Sequence, residues 1–531
     1  MITARELNLS LMVNREGLLL LLNTDEYEDA RQSRDPRFDG RFFVGVLTTG
    51  IYCRPICPVR IPKKENIQLY RSAAGAAEAG FRPCLRCRPE SSPGTPAWIG
   101  APYKVSRALQ LIAKGLLDEG SVDALAAQLS IGPRQLTRLF QQHVGASPVA
   151  VVQTQRLHFA KKLIDETRLP LSEVCFAAGF GSVRRFNAVF QNTYGRSPRE
   201  LRARRKRDRV AVGGTIEVRL SYRPPLDWNA MLRYLEYRKI PGVEAIDFAT
   251  NAYARTIVVD GQAGDIRVQF SDADSFAVLQ INFPDTRHLY HIVERVRLLF
   301  DLKADSEEID RFFRQDKLLK QVVKNNPGTR VTGCWDGFEV TVRAILGQQV
   351  TVKAATTLAG RVANRHGKGY TGANPQLTRT FPSAGHMAEA DLDGMGIVGQ
   401  RIDAIHAVAT KIVRNEIGFD GVLETDAFVK SICEIKGIGA WTAHYIALRV
   451  LNDPNAFPHS DLILRRAAAP SGETLTPKSL LARAEAWKPW RAYAVILLWK
   501  HYQQRVRDNK RTAAGIQKST PGPEQGIRNS R

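Results

Sequence analysis

The stretch EIKGIGAWTAHYIALRV (residues 434–450) decides how the second half of this sequence is interpreted. Gly437 and Gly439 interrupt a helical pattern, which predicts two helices joined by a tight hairpin. Such a hairpin can aim backbone N–H groups at a phosphate, although an ordinary helix connection can have the same four residues. Twenty-two residues after Gly439, Asp461 opens a helix-like run in FPHSDLILRRA (457–467), where a carboxylate can also be a simple N-cap.

The periodicity changes upstream of this helical region. Alternating apolar and polar residues predict strands in TIEVRLSY (215–222), YARTIVVD (253–260) and DIRVQF (265–270), with a helix in WNAMLRYLEYRK (228–239). From about residue 290 to 505 the pattern is helical throughout. We therefore expect a mixed β/α subdomain at 213–300, followed by an all-α domain at 301–508.

These segments carry a resemblance to a known family. The hairpin glycines, the spaced aspartate and the two arginines that follow it are typical of the helix-hairpin-helix DNA glycosylases. The likeness extends to YRPPLDWNAMLRYLEYR (222–238), GFEVTVRAILGQQVTVKAA (337–355) and WKPWRAYAVILLW (487–499). Residues 214–505 thus resemble 3-methyladenine-DNA glycosylase II, about 55% of the chain.

The resemblance implies that this region hydrolyses the N-glycosidic bond of alkylated purines such as 3-methyladenine. The oxocarbenium-like transition state of that reaction requires a carboxylate close to the sugar, and Asp461 is the candidate. Family members that also cut the strand have a lysine where this chain has Trp441, which implies a monofunctional enzyme with water as the nucleophile. The alternative is a region that binds DNA without catalysis.

The implied base pocket is aromatic. An extruded cationic purine gains from stacking on aromatic faces, although each of these side chains can instead be a core residue. The pocket positions are Tyr234, Trp441, Tyr445 and Trp499. Gln349 falls where the family inserts a wedge into the gap left by the base, and Gly437 and Gly439 fall on the DNA-binding hairpin.

Residues 103–200 contain an internal repeat with a period of 50 residues. RLFQQHVGASP (138–148) aligns with AVFQNTYGRSP (188–198). Each copy is predicted to form a helix, a short turn and a second helix, at 122–143 and at 172–192. Two consecutive helix-turn-helix units are therefore expected in a domain at 100–205.

The second helix of such a unit enters the major groove of DNA. The polar candidates for base contacts are Arg134, Gln135, Arg138, Arg184, Arg185 and Asn187. Singly, each can be a solvated surface residue, but two copies in a chain with a net charge of +23 favour DNA binding. The stretch ending GFGSVRRFNAVFQNTYGRSPREL (179–201) resembles the AraC family of bacterial transcription regulators, which implies promoter DNA and RNA polymerase as partners.

Four cysteines lie in two pairs, in GIYCRPICPVR (50–60) and FRPCLRCRPE (81–90). No secretion signal is recognised in residues 11–23, so we expect reduced thiols, and seven cysteines are too few for a disulfide scaffold. The spacing of Cys53, Cys57, Cys84 and Cys87 predicts a Zn²⁺ site of four thiolates, with buried free thiols as the alternative. Cys175, Cys334 and Cys433 are single and are assigned no chemistry.

The region around these pairs also resembles a known family. RDPRFDGRFFVGVLTTGIYCRPICPVR (34–60) and AGFRPCLRCRPE (79–90) are similar to the N-terminal domain of the bacterial Ada proteins, the methylphosphotriester-DNA methyltransferases. The resemblance implies that Cys53 accepts the methyl group and that the other three cysteines complete the metal site. Loss of one thiolate charge would weaken repulsion of DNA phosphates and so act as a transcriptional switch. A purely structural zinc site remains the alternative.

The whole sequence predicts a multidomain α+β protein, because 531 residues exceed the ~250–300 at which one core stops growing. The first domain is expected at residues 1–95 and a disordered tail at 509–531. The arginines expected to attract the DNA backbone near the cysteines are Arg54, Arg60, Arg82, Arg86 and Arg88. No apolar run reaches membrane-spanning length, so we expect a monomer in the bacterial cytoplasm, associated with the nucleoid.

Overall fold

The computed structural model describes residues 24–94, 103–113, 115–117, 120–204, 215–271, 275–419, 425–470 and 472–518. Residues 11–23, in which no secretion signal is recognised, lie outside these ranges. Residues 95–102 and 205–214, around the expected domain boundaries, also lie outside them. Within the described ranges the architecture is the predicted multidomain α+β fold.

Helices dominate the fold. In chain order they are α1 (Thr24–Ser33), α2 (Ala73–Glu78), α3 (Tyr103–Ala113), α4 (Val122–Gln128), α5 (Pro133–His143), α6 (Pro148–Glu166), α7 (Leu171–Ala177), α8 (Val183–Tyr194), α9 (Pro198–Ala203), α10 (Trp228–Glu236), α11 (Leu289–Leu299), α12 (Ser306–Phe313), α13 (Lys320–Asn325), α14 (Gly337–Leu346), α15 (Val352–His366), α16 (Ala384–Met387), α17 (Gly399–Val413), α18 (Thr425–Cys433), α19 (Ala440–Val450), α20 (Leu462–Ala467), α21 (Pro477–Ala484) and α22 (Arg491–Lys518). None of them, over the described residues, combines the length and apolar character of a membrane span.

The strands form two sheets. They are β1 (Phe43–Val46), β2 (Ile51–Cys53), β3 (Ile67–Tyr70), β4 (Arg82–Pro83), β5 (Ile216–Ser221), β6 (Glu244–Asp247), β7 (Ala252–Val259), β8 (Gln262–Phe270) and β9 (Phe276–Asn282). The N-terminal sheet has the order β3-β1-β2-β4, and the second sheet has the order β5-β9-β8-β7-β6.

The two helix-turn-helix units form at the predicted positions. In each copy the repeated Gly-x-Ser-Pro motif ends one helix and starts the next. Gly145 and Gly195 have left-handed φ angles of 76° and 63°, which glycine adopts without strain. Ser147 and Ser197 are the next N-caps, each followed by a proline at the first helical position. The repeat found in the sequence is therefore a repeated helix boundary.

The second sheet differs from the prediction in two strands. The three predicted strands correspond to β5, β7 and β8, but β6 and β9 were not predicted. β6 is a four-residue edge strand that carries Glu244 and Asp247, and its length is too short for a clear alternation. β9 lies between β5 and β8, and its pairing partners rather than its pattern determine its place.

The C-terminal helix is longer than expected. α22 continues to Lys518, so ten residues of the stretch predicted to be disordered are helical. This segment, NKRTAAGIQK with Arg507 and Asp508 before it, is rich in alanine, lysine, arginine and glutamine, which favour helix even without an apolar stripe.

The hydrophobic cores do not follow the domain divisions expected from the sequence. Phe186 and Phe190 of α8 belong to the same buried cluster as Leu279 and Ile281 of β9. The second helix-turn-helix unit therefore shares one hydrophobic core with the mixed sheet. The first unit has a separate core around Leu136 and Phe140, which Ala74 of α2 joins.

Ion pairs at the end of α6 connect three parts of the chain. Glu166 accepts hydrogen bonds from Arg88 at 3.3 Å, from Lys162 at 3.0 Å and from the backbone N–H of Arg219 in β5 at 2.9 Å. The residue before it, Asp165, pairs with Arg88 at 3.0 Å. Three parts of the chain thus meet at the Glu166 carboxylate. They are α6, the second sheet and the segment that contains the four cysteines and Arg88 (residues 53–90), called the cysteine segment below.

A second buried carboxylate lies beside this group. Glu90 is 8% exposed, and Lys161 of α6 approaches it to 3.5 Å. Burial alone would raise the pKa of Glu90, but Lys161 and Arg88 hold it below its usual range. The charged form of Glu90 therefore depends on cations contributed by α6 and by the cysteine segment.

We predict that Lys161→Met destabilises the contact between α6 and the cysteine segment by ~3–5 kcal/mol, because it removes one partner of a buried ion pair. The measurement is chemical unfolding followed by hydrogen exchange of α6. Lys63→Met is the matched control, since Lys63 pairs with Glu65 on the surface, 78% and 70% exposed, and should change stability by less than ~1 kcal/mol. Equal effects of the two substitutions would contradict a buried ion-pair contribution.

Candidate functional site

The four predicted cysteines form one compact cluster. The Sγ atoms of Cys53, Cys57, Cys84 and Cys87 lie within 4.8 Å of one another, and each residue is 7–8% exposed. Four sulfurs at tetrahedral corners ~2.3 Å from a Zn²⁺ ion lie ~3.8 Å apart, so the cluster needs only a small contraction to hold the metal.

The local fold explains why the two pairs meet. β2 and β4 run parallel, with Tyr52 opposite Pro83, so Cys53 and Cys84 follow side by side at the strand ends. The backbone N–H of Cys84 donates to the carbonyl of Tyr52 at 3.0 Å. Arg54, which follows Cys53, connects the two cysteine pairs. Its Nη1 donates to the carbonyl of Cys87 at 3.1 Å, and its guanidinium forms an ion pair with Asp39.

The thiols perturb one another strongly. Hydrogen bonding with Cys53 lowers the pKa of Cys57 to about 7, and it also lowers the pKa of Cys84. Thiolates are the form that zinc requires, and a closely packed set of soft sulfur donors fits Zn²⁺ rather than a hard cation. The same mutual contacts raise the pKa of Cys53 and Cys87, so the four thiols ionise together only with a cation among them. The donor set and the spacing fit the predicted zinc site.

The five arginines near the cysteines have two different environments. Arg60, Arg82 and Arg86 are exposed and are available to an approaching DNA strand. Arg54 and Arg88 instead make ion pairs within the protein, Arg54 with Asp39 and Arg88 with the carboxylates around α6.

The recognition helices of the two units present the predicted side chains to solvent. Arg134, Gln135 and Arg138 are exposed on α5, while Leu136 and Phe140 are buried. On α8 the corresponding exposed residues are Arg184, Arg185 and Asn187. α6, which separates the units, has 19 residues and is therefore ~28 Å long, close to the ~34 Å between successive turns of a DNA major groove.

The helical hairpin forms between α18 and α19. Gly437 has a φ of 92°, and a Cβ there would lie 3.3 Å from the Cβ of Ala404. Gly439 is the N-cap of α19 and is exposed, so the first N–H groups of this eleven-residue helix face solvent. The predicted helical hairpin is therefore present, and its contact with phosphate remains a prediction.

Asp461 is both an N-cap and the centre of a small polar group. Its Oδ1 accepts from the backbone N–H of Leu464 at 2.8 Å, and its Oδ2 accepts from the indole N–H of Trp441 at 2.7 Å. The carboxylate is 6% exposed. The cap interaction and the proposed chemical role are thus compatible, because they use different oxygens.

Three of the four predicted aromatic residues come together. The rings of Trp441 and Tyr445 stack at a centroid distance of 5.6 Å and an angle of 11°. Tyr445 of α19 lies beside Tyr234 of α10, and burial and the charge of Tyr234 raise the pKa of Tyr445. Trp499 packs instead against the C-terminal helical core, and no ring contact between it and the other three is formed in the described ranges.

Gln349 is exposed in the turn between α14 and α15, with a left-handed φ of 54°. Its neighbour Gln348 was not singled out in the sequence. The Gln348 side chain donates to the carbonyl of Gly437 at 2.8 Å, and Arg401 donates to the Gln348 carbonyl at 2.5 Å. Gln348 therefore ties the turn that carries Gln349 to the hairpin. The glutamine pair in GQQ (347–349) was the feature of the sequence that could have drawn attention to Gln348.

Four family models match the chain in succession. "Metal binding domain of Ada" covers residues 26–90, and "Helix-turn-helix domain" covers 125–204. "AlkA N-terminal domain" covers residues 217–336, and "HhH-GPD superfamily base excision DNA repair protein" covers 342–492. These models confirm the predicted succession of a metal-binding domain, a helix-turn-helix domain and a two-part glycosylase-type region.

Relatives cover the chain in whole or in part. The "DNA-3-methyladenine glycosylase 2" of Escherichia coli is 29% identical over 53% of this chain and 95% of its own length. "Bifunctional transcriptional activator/DNA repair enzyme AdaA" of Bacillus subtilis is 30% identical over 36% of this chain and 88% of its own length. "Probable bifunctional transcriptional activator/DNA repair enzyme AlkA" of Mycobacterium tuberculosis is 40% identical over 473 residues, 88% of this chain and 95% of the relative.

That mycobacterial relative is 40% identical and matched over 95% of its length. The chain therefore belongs to the family of bifunctional transcriptional activator/DNA repair enzymes, and in this chain the Ada-type metal-binding and helix-turn-helix domains precede the HhH-GPD domain.

Proposed function

We propose that this protein repairs alkylated DNA in two ways and regulates transcription in response. In this proposal the C-terminal region is a monofunctional glycosylase that releases alkylated purines such as 3-methyladenine. Cys53 accepts methyl groups from DNA methylphosphotriesters, and the helix-turn-helix units bind promoter DNA. The observation that carries the catalytic part is the buried Asp461 carboxylate, held by Trp441 beside the stacked aromatic pair.

The glycosylase chemistry follows from charge and position. Departure of the base leaves positive charge on the sugar, and a fixed carboxylate stabilises that charge most effectively where water is excluded. Trp441 holds the Oδ2 of Asp461 in place, while the hairpin, the exposed Gln349 turn and the exposed helix N-terminus are suited to binding and distorting the duplex. Water then attacks the sugar, since Trp441 stands where strand-cutting enzymes need lysine.

We predict that Asp461→Asn lowers the rate of 3-methyladenine release from duplex DNA at least ~100-fold, as expected when a fixed transition-state charge is removed. Asparagine retains the N-cap, so the fold should be preserved. The measurement is free base released in a single turnover by the purified full chain. Asp403→Asn, an exposed residue of α17, is the control and should leave the rate unchanged.

Two outcomes would contradict this assignment. Undiminished release by Asp461→Asn would remove the carboxylate from the mechanism. Tight binding of damaged duplex by the unmodified protein without any base release would favour the alternative, a regulator whose glycosylase-like region only binds DNA.

The choice of Cys53 as the methyl acceptor is supported by its hydrogen bonds. Cys57, Cys84 and Cys87 each accept a backbone N–H, from Val59, Cys87 and Arg54 respectively. Within the described part of the chain, Cys53 has no such donor. A thiolate stabilised by an N–H donor is less nucleophilic, so the sulfur of Cys53 is the most reactive of the four.

A Zn²⁺ ion held by Cys53, Cys57, Cys84 and Cys87 would keep these thiols deprotonated at neutral pH. The Sγ of Cys53 then attacks the methyl carbon of the phosphotriester, and the phosphate leaves as a diester anion. The product thioether carries no charge, so the site loses one negative charge and repels DNA phosphates less. The exposed Arg60, Arg82 and Arg86 lie in the same segment and would bind the DNA backbone.

We predict that incubation with duplex DNA containing a methylphosphotriester places one methyl group on Cys53, detected by mass spectrometry of the digested protein. Cys53→Ser should abolish methyl transfer, because the serine hydroxyl is a much weaker nucleophile than a thiolate at neutral pH. Cys175→Ser is the control, since Cys175 is buried in the second helix-turn-helix unit and should leave transfer intact. A methyl group on Cys57, Cys84 or Cys87, or on none, would leave the site a structural zinc centre.

The DNA-binding units determine where the protein acts. We propose that α5 and α8 read two successive major grooves of promoter DNA, and that the bound protein recruits RNA polymerase. On this view it works as a monomer in the bacterial cytoplasm, at the nucleoid, because both units are supplied by one chain.

We predict that Arg185→Ala weakens binding to the preferred duplex, first obtained by selection from a random pool, by ~1–3 kcal/mol, as for a lost base contact. Binding to unrelated duplex should change much less. Arg365→Ala is the control, since Arg365 is an exposed arginine of α15 in the glycosylase region. Equal weakening on both duplexes would make Arg185 a phosphate contact only.

A further inference from the structure

The first turn of α6 is capped by a side chain from the cysteine segment. The carboxylate of Glu78, at the end of α2, accepts the backbone N–H of Ser147 at 3.3 Å and the Ser147 hydroxyl at 3.1 Å. Nε2 of Gln141, in α5, donates to the same carboxylate at 3.3 Å. Ser147 is the N-cap of α6. One side chain of the cysteine segment therefore binds both helices that meet at this boundary.

The second helix-turn-helix unit has the same cap, but supplies it locally. Ser197 is the N-cap of α9, and Oε2 of Glu200 accepts the backbone N–H of Ser197 at 2.7 Å and its hydroxyl at 2.8 Å. This arrangement is a complete capping box. In the first unit the residue three positions after Ser147 is Ala150, which has no carboxylate. Glu78 thus makes in the first unit the two contacts that Glu200 makes in the second.

Two further residues of α2 contact the same boundary. The hydroxyl of Ser72 donates to the carbonyl of Val144 at 2.8 Å. A Cβ at Gly75 would lie 2.9 Å from the carbonyl oxygen of Gly145, so a larger residue would force the two segments apart. Ser72, Gly75 and Glu78 are spaced by three residues and therefore lie on one face of α2. That face is fitted to the boundary between α5 and α6.

Other residues of α2 fix this helix to the sheet that carries the metal site. Ala76 is fully buried and shares a cluster with Phe43 and Tyr52, and Tyr52 immediately precedes Cys53. Ala74 is buried in the core of the first helix-turn-helix unit instead. The position of α2, and with it the position of Glu78, is therefore determined from both sides.

We propose that Glu78 is a positioning residue for the first helix-turn-helix unit, which α2 holds in the orientation that reads DNA. The inference rests on the proposed binding of DNA by α5 and α8. Because α6 separates these two recognition helices, a loosened first turn of α6 changes the angle at which α5 meets the groove. The second unit needs no such support at its corresponding boundary, since Glu200 belongs to the helix that it caps.

The test moves the cap from the cysteine segment into the first unit. Glu78→Ala should speed hydrogen exchange in the first turn of α6 about fivefold, the effect of losing one helix cap. Combining Glu78→Ala with Ala150→Glu rebuilds the capping box of the second unit in the first, and should restore the original exchange rates. Glu65→Ala is the charge-matched control, because Glu65 is 70% exposed and pairs with Lys63 on the surface. It should leave these rates unchanged.

DNA binding supplies a readout that a general loss of stability would not reproduce. The preferred duplex is selected with the unmodified full chain, and its two halves are assigned with Arg134→Ala and Arg185→Ala. Glu78→Ala should weaken binding to this duplex about fivefold, because ordering the boundary then opposes binding. The loss should disappear on a duplex in which the half read by α5 is scrambled. Glu200→Ala should show the reverse pattern, and Ala150→Glu should restore binding in the Glu78→Ala protein.

The role of Glu78 would be overturned by an equal loss of affinity on the duplexes with either half scrambled. Failure of Ala150→Glu to restore both exchange and binding would overturn it as well, since the box would then be present without effect. If the unmodified protein selects no preferred duplex, the proposed reading of promoter DNA fails, and this inference fails with it.

Discussion

The carboxylate of Glu166, at the end of α6, is the point on which the arrangement of this protein depends. It receives hydrogen bonds from the cysteine segment, from its own helix and from the backbone of the second sheet. Glu166, Asp165 and Glu90 are each partly or fully buried, so each requires its cations. α6 also separates the two recognition helices, and the same contacts therefore connect the metal site to the DNA-binding units and to the glycosylase region.

Both chemical sites follow the same principle at a smaller scale. In each candidate site, neighbouring N–H donors hold a buried group in place. In the cysteine cluster, three sulfurs accept backbone N–H donors and Cys53 does not. At Asp461, one oxygen caps α20 and the other binds Trp441. The structural interactions hold the reactive groups without removing their charge, because burial strengthens each remaining electrostatic contact.

Much of the fold and of the candidate sites was accessible from local patterns. The repeat predicted both helix-turn-helix units, because the Gly-x-Ser-Pro boundary works through backbone conformation and capping within a few residues. The thiol spacing predicted the metal cluster because each pair places two potential zinc ligands within five residues, while the pairing of β2 with β4 brings the two pairs together. β6 and β9 were missed, since a short edge strand and an inserted central strand are defined by their partners. Gln348 was missed because its role is a contact with Gly437, 89 residues away.

By itself, the sequence determined the two helix-turn-helix units, which cysteines meet, the family and the candidate carboxylate, since each of these is marked by a recognisable motif. Only the tertiary structure decided that the second helix-turn-helix unit shares a core with the mixed sheet and that Trp499 packs away from the other aromatic residues. It also placed the Glu78 carboxylate against Ser147, 69 residues further along the chain. The burial of an atom and the electrostatic potential at it depend on residues that are distant in sequence, so neither is defined until the chain has folded.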